Sequence, residues 1–291
     1  MVDSVAVGVI GGSGLYSMPE IVPLETIVVD TPFGPPSSQI IIGELAGKRV
    51  AFLARHGRGH VFTPSTVPYR ANIYAMKALG VRKLIAVNAC GSLREDYAPG
   101  HVVIPDQIID YTKSERGRTF FDTGLVAHVS VADPFCSHLG AQAAEAVRAA
   151  GGIAHEEGTY AIIEGPRFST RAESEFFRSA GCSIIGMTTS PEAFLAREAE
   201  ICYTTLSHVT DYDVWHASEA TVTVDAVMQT FQRNLRLAQQ AVANLVGSLN
   251  PDEDCACQHA LDSAVMTSHG VVSPEMRERL HPLVGRLFPG T

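Results

Sequence analysis

The sequence predicts an α/β fold. With 291 residues, of which 46% are hydrophobic, the chain can bury a large core as one α/β domain or as one domain with a tail. Its short apolar runs have the length of strands and alternate with segments of helical periodicity. Several of these runs end in loops of glycine or polar residues, and strand ends are where active sites collect in α/β sheets.

The composition favours a small-molecule ligand. A net charge of −9 and an isoelectric point near 5.6 argue against a surface for nucleic acid or anionic membranes, because both would reward clustered Lys and Arg. No apolar run approaches the roughly 20 residues that span a bilayer, and the N-terminus lacks the basic region and cleavage site of a signal peptide. We therefore expect a cytoplasmic protein.

The first predicted strand, residues 5–10, is followed at once by Gly11-Gly-Ser-Gly14. Glycines let successive backbone N–H groups converge, and such a loop, with the Ser13 hydroxyl added, can cradle an oxyanion. The loop does not match the dinucleotide-binding fingerprint, because Ser17 stands where the third glycine would be. It does not match a triphosphate-binding loop either, because it lacks the Gly-Lys-Ser/Thr ending. Free phosphate and a simple tight turn both remain as interpretations.

Three further strands are predicted at residues 26–29, 39–44 and 48–54, and the last ends in Arg55-His-Gly-Arg-Gly-His60. Fork-shaped arginine donors beside a histidine suit an inorganic phosphate. A zinc site is not expected in this loop, because its glycines disfavour the helix that would place two histidines on one face. A solvated loop is the alternative.

The middle of the chain continues the alternation of strands and helices. The predicted elements are, in order, a helix at 64–79, strands at 83–87 and 102–109, a helix at 137–150 and a strand at 159–163. The polar, glycine-punctuated segment 113–124 has the character of a mobile lid. In the polar loop after the last of these strands, Phe168 could stack on a flat base or belong to the core.

A short strand at 183–185 and an apolar run at 201–206 complete the predicted sheet. The first leads to Thr188, just before a predicted helix, where the helix N-terminus favours anions. The second delivers Asp211 and Asp213 into a turn. If the backbone stays extended there, both carboxylates face one spot, because side chains alternate along a strand. Such a pair can accept hydrogen bonds from an exocyclic amine, and crowding or burial can raise the pKa of one of the two carboxyl groups. A solvated acidic turn is the alternative.

Six cysteines in a chain of this length do not predict a disulfide scaffold. Cys255 and Cys257, with His259 nearby, could bind a metal or oxidise together, but three ligands at this spacing are a weak zinc pattern. We therefore expect no metal. The other four lie in apolar segments and are expected as buried thiols: Cys90, Cys136, Cys182 and Cys202.

Six motifs stand at the ends of predicted strands: Gly-Gly-Ser-Gly-Leu from Gly11, Ala-Arg-His-Gly-Arg from Ala54, Ala-Cys-Gly-Ser-Leu from Ala89, Glu-Gly-Pro-Arg-Phe-Ser-Thr-Arg-Ala-Glu-Ser from Glu164, Met-Thr-Thr-Ser-Pro-Glu from Met187 and Thr-Asp-Tyr-Asp-Val-Trp from Thr210. In this order and spacing they resemble the trimeric purine nucleoside phosphorylase superfamily, and the last motif favours its methylthioadenosine branch. The resemblance spans roughly residues 5–247.

The resemblance implies a nucleoside phosphorylase fold, in which a twisted mixed β-sheet flanked by helices forms a single domain. That domain would comprise residues 1–249, and residues 250–291 would be a C-terminal extension. The resemblance also implies a homotrimer, with a dimer of trimers left open as the alternative. Inorganic phosphate would be a co-substrate, and no metal or organic cofactor would be needed.

Site residues follow from the resemblance position by position. Asp211 and Asp213 would be catalytic. Phosphate would be held by Ser13, Arg55, His56, Asn88, Ala89 and Thr188. At Asn88 the family often carries a phosphate-binding Thr, although an amide can still donate to an oxyanion. The substrate-binding residues would be Phe168, Ser169, Met187, Asp211, Tyr212, Asp213, Val222, Val224, Val227, Met228 and, from a neighbouring subunit, His128.

The implied reaction is phosphorolysis of 5'-methylthioadenosine to adenine and 5-methylthioribose 1-phosphate, the work of a pentosyltransferase in purine and methionine salvage. Asp211 would serve N7 of the base, Asp213 would accept from the 6-amino group, and phosphate would attack C1'. The nearest alternative is a phosphorylase for 6-oxopurine nucleosides or methylthioinosine, which typically has Asn in place of Asp211. A nucleoside hydrolase and a purine-binding regulator on the same fold are two further alternatives.

The chain continues beyond the resemblance with a helix-breaking acidic segment after a long helix predicted at 224–246. Residues 274–287 resume helical periodicity, and Pro282 can kink or split that helix. Burying one Leu or Met side chain is worth roughly 1.5–3 kcal/mol. We therefore expect the apolar stripe of the extension to pack on the protein's own surface or on a neighbouring subunit.

Overall fold

The chain folds around one mixed β-sheet. A computed structural model describes residues 5–12, 15, 18, 20–216 and 223–288. Within these residues the sheet has eleven strands: β1 (Val7–Gly11), β2 (Val22–Ile27), β3 (Ile40–Leu45), β4 (Lys48–Ala54), β5 (Lys83–Ser92), β6 (Val102–Val103), β7 (Gln107–Asp110), β8 (Ala154–His155), β9 (Thr159–Ile162), β10 (Ile184–Gly186) and β11 (Cys202–Asp211).

Helices cover both faces of the sheet. The α-helices are α1 (Tyr69–Ala78), α2 (Ser137–Ala149), α3 (Arg171–Ser179), α4 (Thr189–Glu198), α5 (Val224–Ser248), α6 (Pro274–Arg279) and α7 (His281–Val284). Single 3-10 turns follow at Ala256–His259, His269–Val271 and Gly285–Leu287. In the described part of the chain, no helix is both long and apolar enough to cross a membrane.

Strand β5 is the centre of the sheet. The strand order is β2-β3-β4-β1-β5-β10-β9-β7, and β11 pairs with β5 beside this path. Strands β1, β4, β5 and β11 all run parallel, so their carboxyl ends meet at one edge. Strands β5 and β11 are buried along nearly their whole length, as expected for parallel strands covered on both faces.

Two layers of helices bury the sheet, and side-chain alternation divides each strand between them. Val7 and Val9 of β1 face α2 and α5, whereas Ile10 faces the core that α1, α4 and the C-terminal extension share. The same alternation holds along β5, where Leu84 and Ile85 belong to opposite cores.

Proline accounts for the main departures from the predicted elements. Helix α1 begins at Tyr69 instead of residue 64, because Pro68 is its N-cap and a residue before proline disfavours helical dihedrals. The strand predicted at 102–109 is split into β6 and β7 around Pro105, which has no N–H to donate to a sheet.

Helix α3 was not predicted, although its capping box of Thr170 and Glu173 is a recognisable start signal.

The segment 113–124 is attached to the core by three buried side chains. It has no helix or strand, but Arg116, Phe120 and Phe121 are buried. Arg116 donates to the Met187 carbonyl at 2.6 Å and to the Glu164 carboxylate at 2.8 Å. A buried arginine and two buried phenylalanines thus attach this polar segment to the core, and its role as a mobile lid stays a prediction.

The C-terminal extension packs on the protein's own surface, as predicted. Its apolar side chains Leu280, Leu283 and Val284 are buried in the core beside α1, and the Tyr74 hydroxyl of α1 donates to the Arg279 carbonyl at 3.0 Å. The predicted helix at 274–287 is divided into α6, α7 and a 3-10 turn, with Pro282 in the first turn of α7. The division into a domain of residues 1–249 and an extension of residues 250–291 remains a prediction.

Candidate active site

A cavity of about 380 Å³ lies at the edge where the carboxyl ends of β1, β4, β5 and β11 meet. Most of the predicted site residues line it, although they come from distant parts of the chain: Arg55, His56, Asn88, Ala89, Phe168, Ser169, Met187, Thr188, Asp211, Asp213, Val224, Val227 and Met228. The cavity therefore has a polar end near β1 and β4, an acidic end after β11 and an apolar wall from α5.

Two predicted residues do not line the cavity, and two others fall outside the part of the chain that the structure describes. Ser13 and Val222 lie outside the described residues. Tyr212 does not line the cavity, since its hydroxyl donates to the Glu95 carbonyl at 3.2 Å. His128 does not line it either, and its role in a neighbouring subunit's site stays a prediction.

The two aspartates converge through a turn and not through strand alternation. Strand β11 ends at Asp211 after a register shift beyond Val209, and Asp213 has a φ of 53°, outside the extended region. The Asp211 carboxylate accepts the Asp213 N–H at 2.8 Å, which folds the chain back on itself. Gly91 of β5 leaves room for this turn, because a Cβ there would lie 3.0 Å from an Asp211 oxygen.

Hydrogen bonds distinguish the two carboxyl groups. Burial raises the pKa of Asp211, while a hydrogen bond from the Thr210 hydroxyl at 2.7 Å opposes the shift. Asp213 is buried, and the Ser169 hydroxyl lies 2.6 and 2.7 Å from its two oxygens. Because Ser169 donates, Asp213 is suited to remain an acceptor, whereas Asp211 retains a proton more readily than an ordinary aspartate.

Arg55 is held by a buried ion pair. Its Nε and Nη2 atoms each donate to the Glu192 carboxylate at 2.7 Å, and Nη1 donates to the Val87 carbonyl at 3.0 Å. The hydroxyl of Tyr203 also donates to Glu192, at 2.9 Å. Arg55 therefore forms part of the cavity wall with most of its guanidinium hydrogens already bound, and few remain for an anion.

Asn88 has a role that its sequence position did not indicate. Its amide nitrogen donates to the Thr189 and Thr205 hydroxyls at 3.2 and 2.9 Å, and its oxygen accepts from Tyr160 at 3.2 Å. The amide hydrogens of Asn88, which were predicted to bind phosphate, thus donate to other side chains of the protein. In this arrangement Asn88 braces β5 against α4 and β11, and its contact with phosphate stays a prediction.

Thr188 and His56 offer groups toward an anion. Thr188 is the N-cap residue of α4, and its hydroxyl has no hydrogen-bond partner among the described residues. The Nδ1 atom of His56 lies 2.9 Å from the Phe62 carbonyl, so Nδ1 carries the proton and Nε2 is the remaining ring nitrogen. Burial, followed by the charge of Arg55, lowers the pKa of His56 to about 4.

Most of the remaining lining is apolar. Val224, Val227 and Met228 share one side of the first turns of α5, at the i, i+3 and i+4 positions. Other lining residues were not predicted: Gly12, His60, Pro64, Val87, Cys90, Gly91, Ile163, Pro166, Ile185, Gly186 and Thr210. Of these, His60 stacks on His56 with ring centroids 4.3 Å apart. Its position in the same loop as Arg55 and His56 could have identified it as a site residue from the sequence.

Comparison with known proteins covers nearly the whole chain. The family model described as Phosphorylase superfamily matches residues 6–247. An S-methyl-5'-thioadenosine phosphorylase of Chloroflexus aurantiacus is 54% identical over 285 residues, or 98% of this chain and 99% of the relative. A second, from Geobacter sulfurreducens, is 50% identical over 96% of this chain and 98% of the relative. These alignments include most of residues 250–291, so relatives share the extension that the motifs left uncovered.

Solved structures agree with these matches. A methylthioadenosine phosphorylase from an antarctic soil metagenomic library superposes with a TM-score of 0.92 at 47% identity, covering 97% of this chain and 99% of that one. The methylthioadenosine phosphorylase of Schistosoma mansoni in complex with adenine superposes with a TM-score of 0.84 at 34% identity, covering 90% of this chain and 99% of that one. The chain therefore belongs to the phosphorylase superfamily and, within it, to the S-methyl-5'-thioadenosine phosphorylase family.

Proposed function

We propose that the cavity catalyses phosphorolysis of 5'-methylthioadenosine to adenine and 5-methylthioribose 1-phosphate. The observation that carries the proposal is the pairing of Asp211, whose pKa burial raises, with Asp213, which accepts from the Ser169 hydroxyl, at one end of a cavity whose other end is polar. The named relatives catalyse, by their names, the same class of reaction.

The acidic end would bind and activate the purine. Asp211, whose pKa burial raises, would bring a proton to N7 as the glycosidic bond breaks and negative charge builds on the base. Asp213, fixed by Ser169, would accept from the 6-amino group. This assignment favours 6-aminopurines over 6-oxopurines, since a carboxylate facing O6 would place two acceptors together.

The polar end would hold phosphate beneath C1'. Thr188, the remaining guanidinium hydrogens of Arg55 and the backbone around Ala89 would position it, and the apolar face of α5 would receive the methylthio group. The phosphate oxygen would form the new bond to C1' as the bond to the base breaks. We propose that no metal or organic cofactor takes part in this step.

The assembly is proposed to be a homotrimer in the cytoplasm. Val224 and Met228, at the cavity, are 64% and 42% exposed in the single chain, and a neighbouring subunit that lends His128 would cover them. Solution mass measured with and without substrate would test the trimer, and a monomer with full activity would reject it.

One experiment tests the function. Turnover of 5'-methylthioadenosine, adenosine and methylthioinosine is measured with and without phosphate, by release of the free base. We expect the fastest turnover with methylthioadenosine and none without phosphate. Equal rates without phosphate would identify a hydrolase, and a preference for methylthioinosine would identify a 6-oxopurine phosphorylase.

A further inference from the structure

Four cysteine sulfurs meet outside the cavity. Cys136 is the N-cap residue of α2, Cys202 is the first residue of β11, and Cys255 and Cys257 lie at the 3-10 turn after α5. Their sulfur atoms all lie within 4.8 Å of one another. Cys136, Cys202 and Cys257 are buried, and Cys255 is half-buried. Two of these residues formed a recognisable pair in the sequence, and folding brings in the other two.

The spacing of the sulfurs fits one tetrahedral metal ion. Zinc–sulfur bonds of about 2.3 Å place the sulfurs of a tetrahedral site about 3.8 Å apart. The Cys136 and Cys255 sulfurs are 3.7 Å apart. All four thiols are free, and a disulfide would require sulfurs about 2.05 Å apart. An iron–sulfur cluster would separate the thiolates further, because its irons and sulfides lie between them.

Nearby donors are placed to stabilise thiolates. The Leu139 N–H, in the first turn of α2, donates to the Cys136 sulfur at 3.4 Å, and the helix N-terminus favours negative charge. Arg197 donates to the Cys257 sulfur at 3.1 Å. Such outer hydrogen bonds to ligand atoms accompany metal sites in proteins. His259, the third candidate in the sequence, instead pairs with Asp254 and Asp262.

We propose that Cys136, Cys202, Cys255 and Cys257 bind one Zn²⁺ ion in a structural site. Four thiolates fill the tetrahedral coordination of zinc, so no position is open for catalysis. The ion would fasten the segment after α5 to the start of β11. The ten residues of β11 place the site about 30 Å from Asp211, too far for a direct effect on the reaction.

The test is metal analysis of the full-length protein, purified under reducing conditions without a metal-affinity column. We expect elemental mass spectrometry to find about one zinc ion per chain. Cys257→Ala should lose the zinc and lower the melting temperature by about 5 °C or more. Cys182→Ala, a buried thiol outside the cluster, is the matched control and should retain the zinc.

Three outcomes would overturn the assignment. One is a reduced protein that takes up no zinc after incubation with zinc chloride. Another is a mass lower by two hydrogens for each cysteine pair in protein purified without reductant, which would identify disulfides. The third is one equivalent of iron in place of zinc. If Cys257→Ala does not fold, the zinc content of the unmodified protein and of Cys255→Ser, at the half-buried position, still decides the question.

Discussion

Asp211 illustrates how surroundings set the chemistry of one side chain. The Asp-x-Asp pattern alone is compatible with a solvated acidic turn, in which both carboxylates would be ionised. In the folded protein, burial raises the pKa of Asp211, and the Asp213 N–H and the Thr210 hydroxyl hold its two oxygens. The side chain is thus oriented and inclined to keep a proton, which are the two properties that a general acid needs.

The identity of residue 211 should control base specificity. Asp211→Asn is expected to lower turnover of methylthioadenosine by about 100-fold, the usual worth of a positioned acid. The same change should raise the ratio of methylthioinosine to methylthioadenosine turnover, because an amide can donate to O6. The ratio of kcat/KM for the two substrates is the measurement.

Ser169→Ala is the companion variant for Asp211→Asn. It removes the hydrogen bond to Asp213 without changing residue 211. It should weaken turnover of both substrates without reversing their preference. An unchanged ratio in Asp211→Asn would show that Asp213 alone reads the 6-position of the purine.

His56 should couple phosphate binding to pH. Its pKa of about 4 makes the ring neutral at pH 7, and its only proton is committed to the Phe62 carbonyl. A neutral Nε2 accepts hydrogen bonds, so it favours the singly charged phosphate that still carries a proton. The KM for phosphate is therefore expected to rise from about pH 6 to about pH 9, approaching tenfold per unit once phosphate is mostly doubly charged.

Steady-state KM values for phosphate across this pH range check the coupling. His56→Gln, whose amide can donate to the doubly charged phosphate as well as accept from the singly charged one, should flatten the profile. A KM that stays constant or falls with rising pH in the unmodified protein would contradict the protonation state assigned to His56.

At the scale of elements, helix α4 and strand β4 are joined through the Arg55–Glu192 pair. Both side chains are almost fully buried, at 2% and 0% exposed. Removing one partner of such a pair leaves an uncompensated charge, whereas removing both often costs little. The pair therefore fixes the position of Arg55 at the cavity. The buried charge of Arg55 is compensated by Glu192, which lies 137 residues later in the chain.

Glu192→Ala should destabilise the protein by about 3–5 kcal/mol, because the Arg55 charge stays buried without its partner. The double variant Arg55→Met with Glu192→Leu should recover much of this loss but show no phosphate-dependent turnover. Chemical denaturation measures the free energy of unfolding of each variant. Glu25→Ala, which breaks the exposed pair with Arg49, is the control and should cost less than about 1 kcal/mol.

Equal destabilisation in the single and double variants would contradict this account. It would mean that packing at these positions, and not the buried charge, determines the stability.

At the scale of the whole molecule, the C-terminal extension is part of the folded body. Leu283 contributes to the same core as α1 and α4, and Lys83 at the start of β5 pairs with Glu253 at 2.9 Å. Arg286 forms an ion pair with Glu200, at the turn before β11. The extension thus contacts the two strands that carry the cavity, at the ends opposite to it.

Leu283→Ala should therefore lower the stability of the entire protein by about 2–5 kcal/mol, in one cooperative transition. Val271→Ala is the control in the same extension, because Val271 is 74% exposed and should change stability by less than about 0.5 kcal/mol. Thermal unfolding followed by circular dichroism measures both. A separate early transition in Leu283→Ala would indicate that the extension folds as its own unit.

The sequence by itself determined the α/β class, the order of most elements and the loops that line the cavity. These features are local: strand and helix periodicity repeats within a few residues, and glycine or polar residues mark where an apolar run ends. Loops at the carboxyl ends of parallel strands meet at one edge, and the resemblance to the purine nucleoside phosphorylases assigned the motifs in these loops to one site.

Only the tertiary structure decided which atoms remain available in that site. Asn88 uses its amide on Thr189 and Thr205, which lie 101 and 117 residues away, and the Cys136 sulfur meets that of Cys255, 119 residues away. A spacing rule cannot foresee such partners, because a hydrogen bond or a metal site depends on positions to a fraction of an ångström between separately folded elements. The convergence of Asp211 and Asp213 has the same origin, since a register shift in β11 and a left-handed residue replaced the extended strand that the pattern suggested.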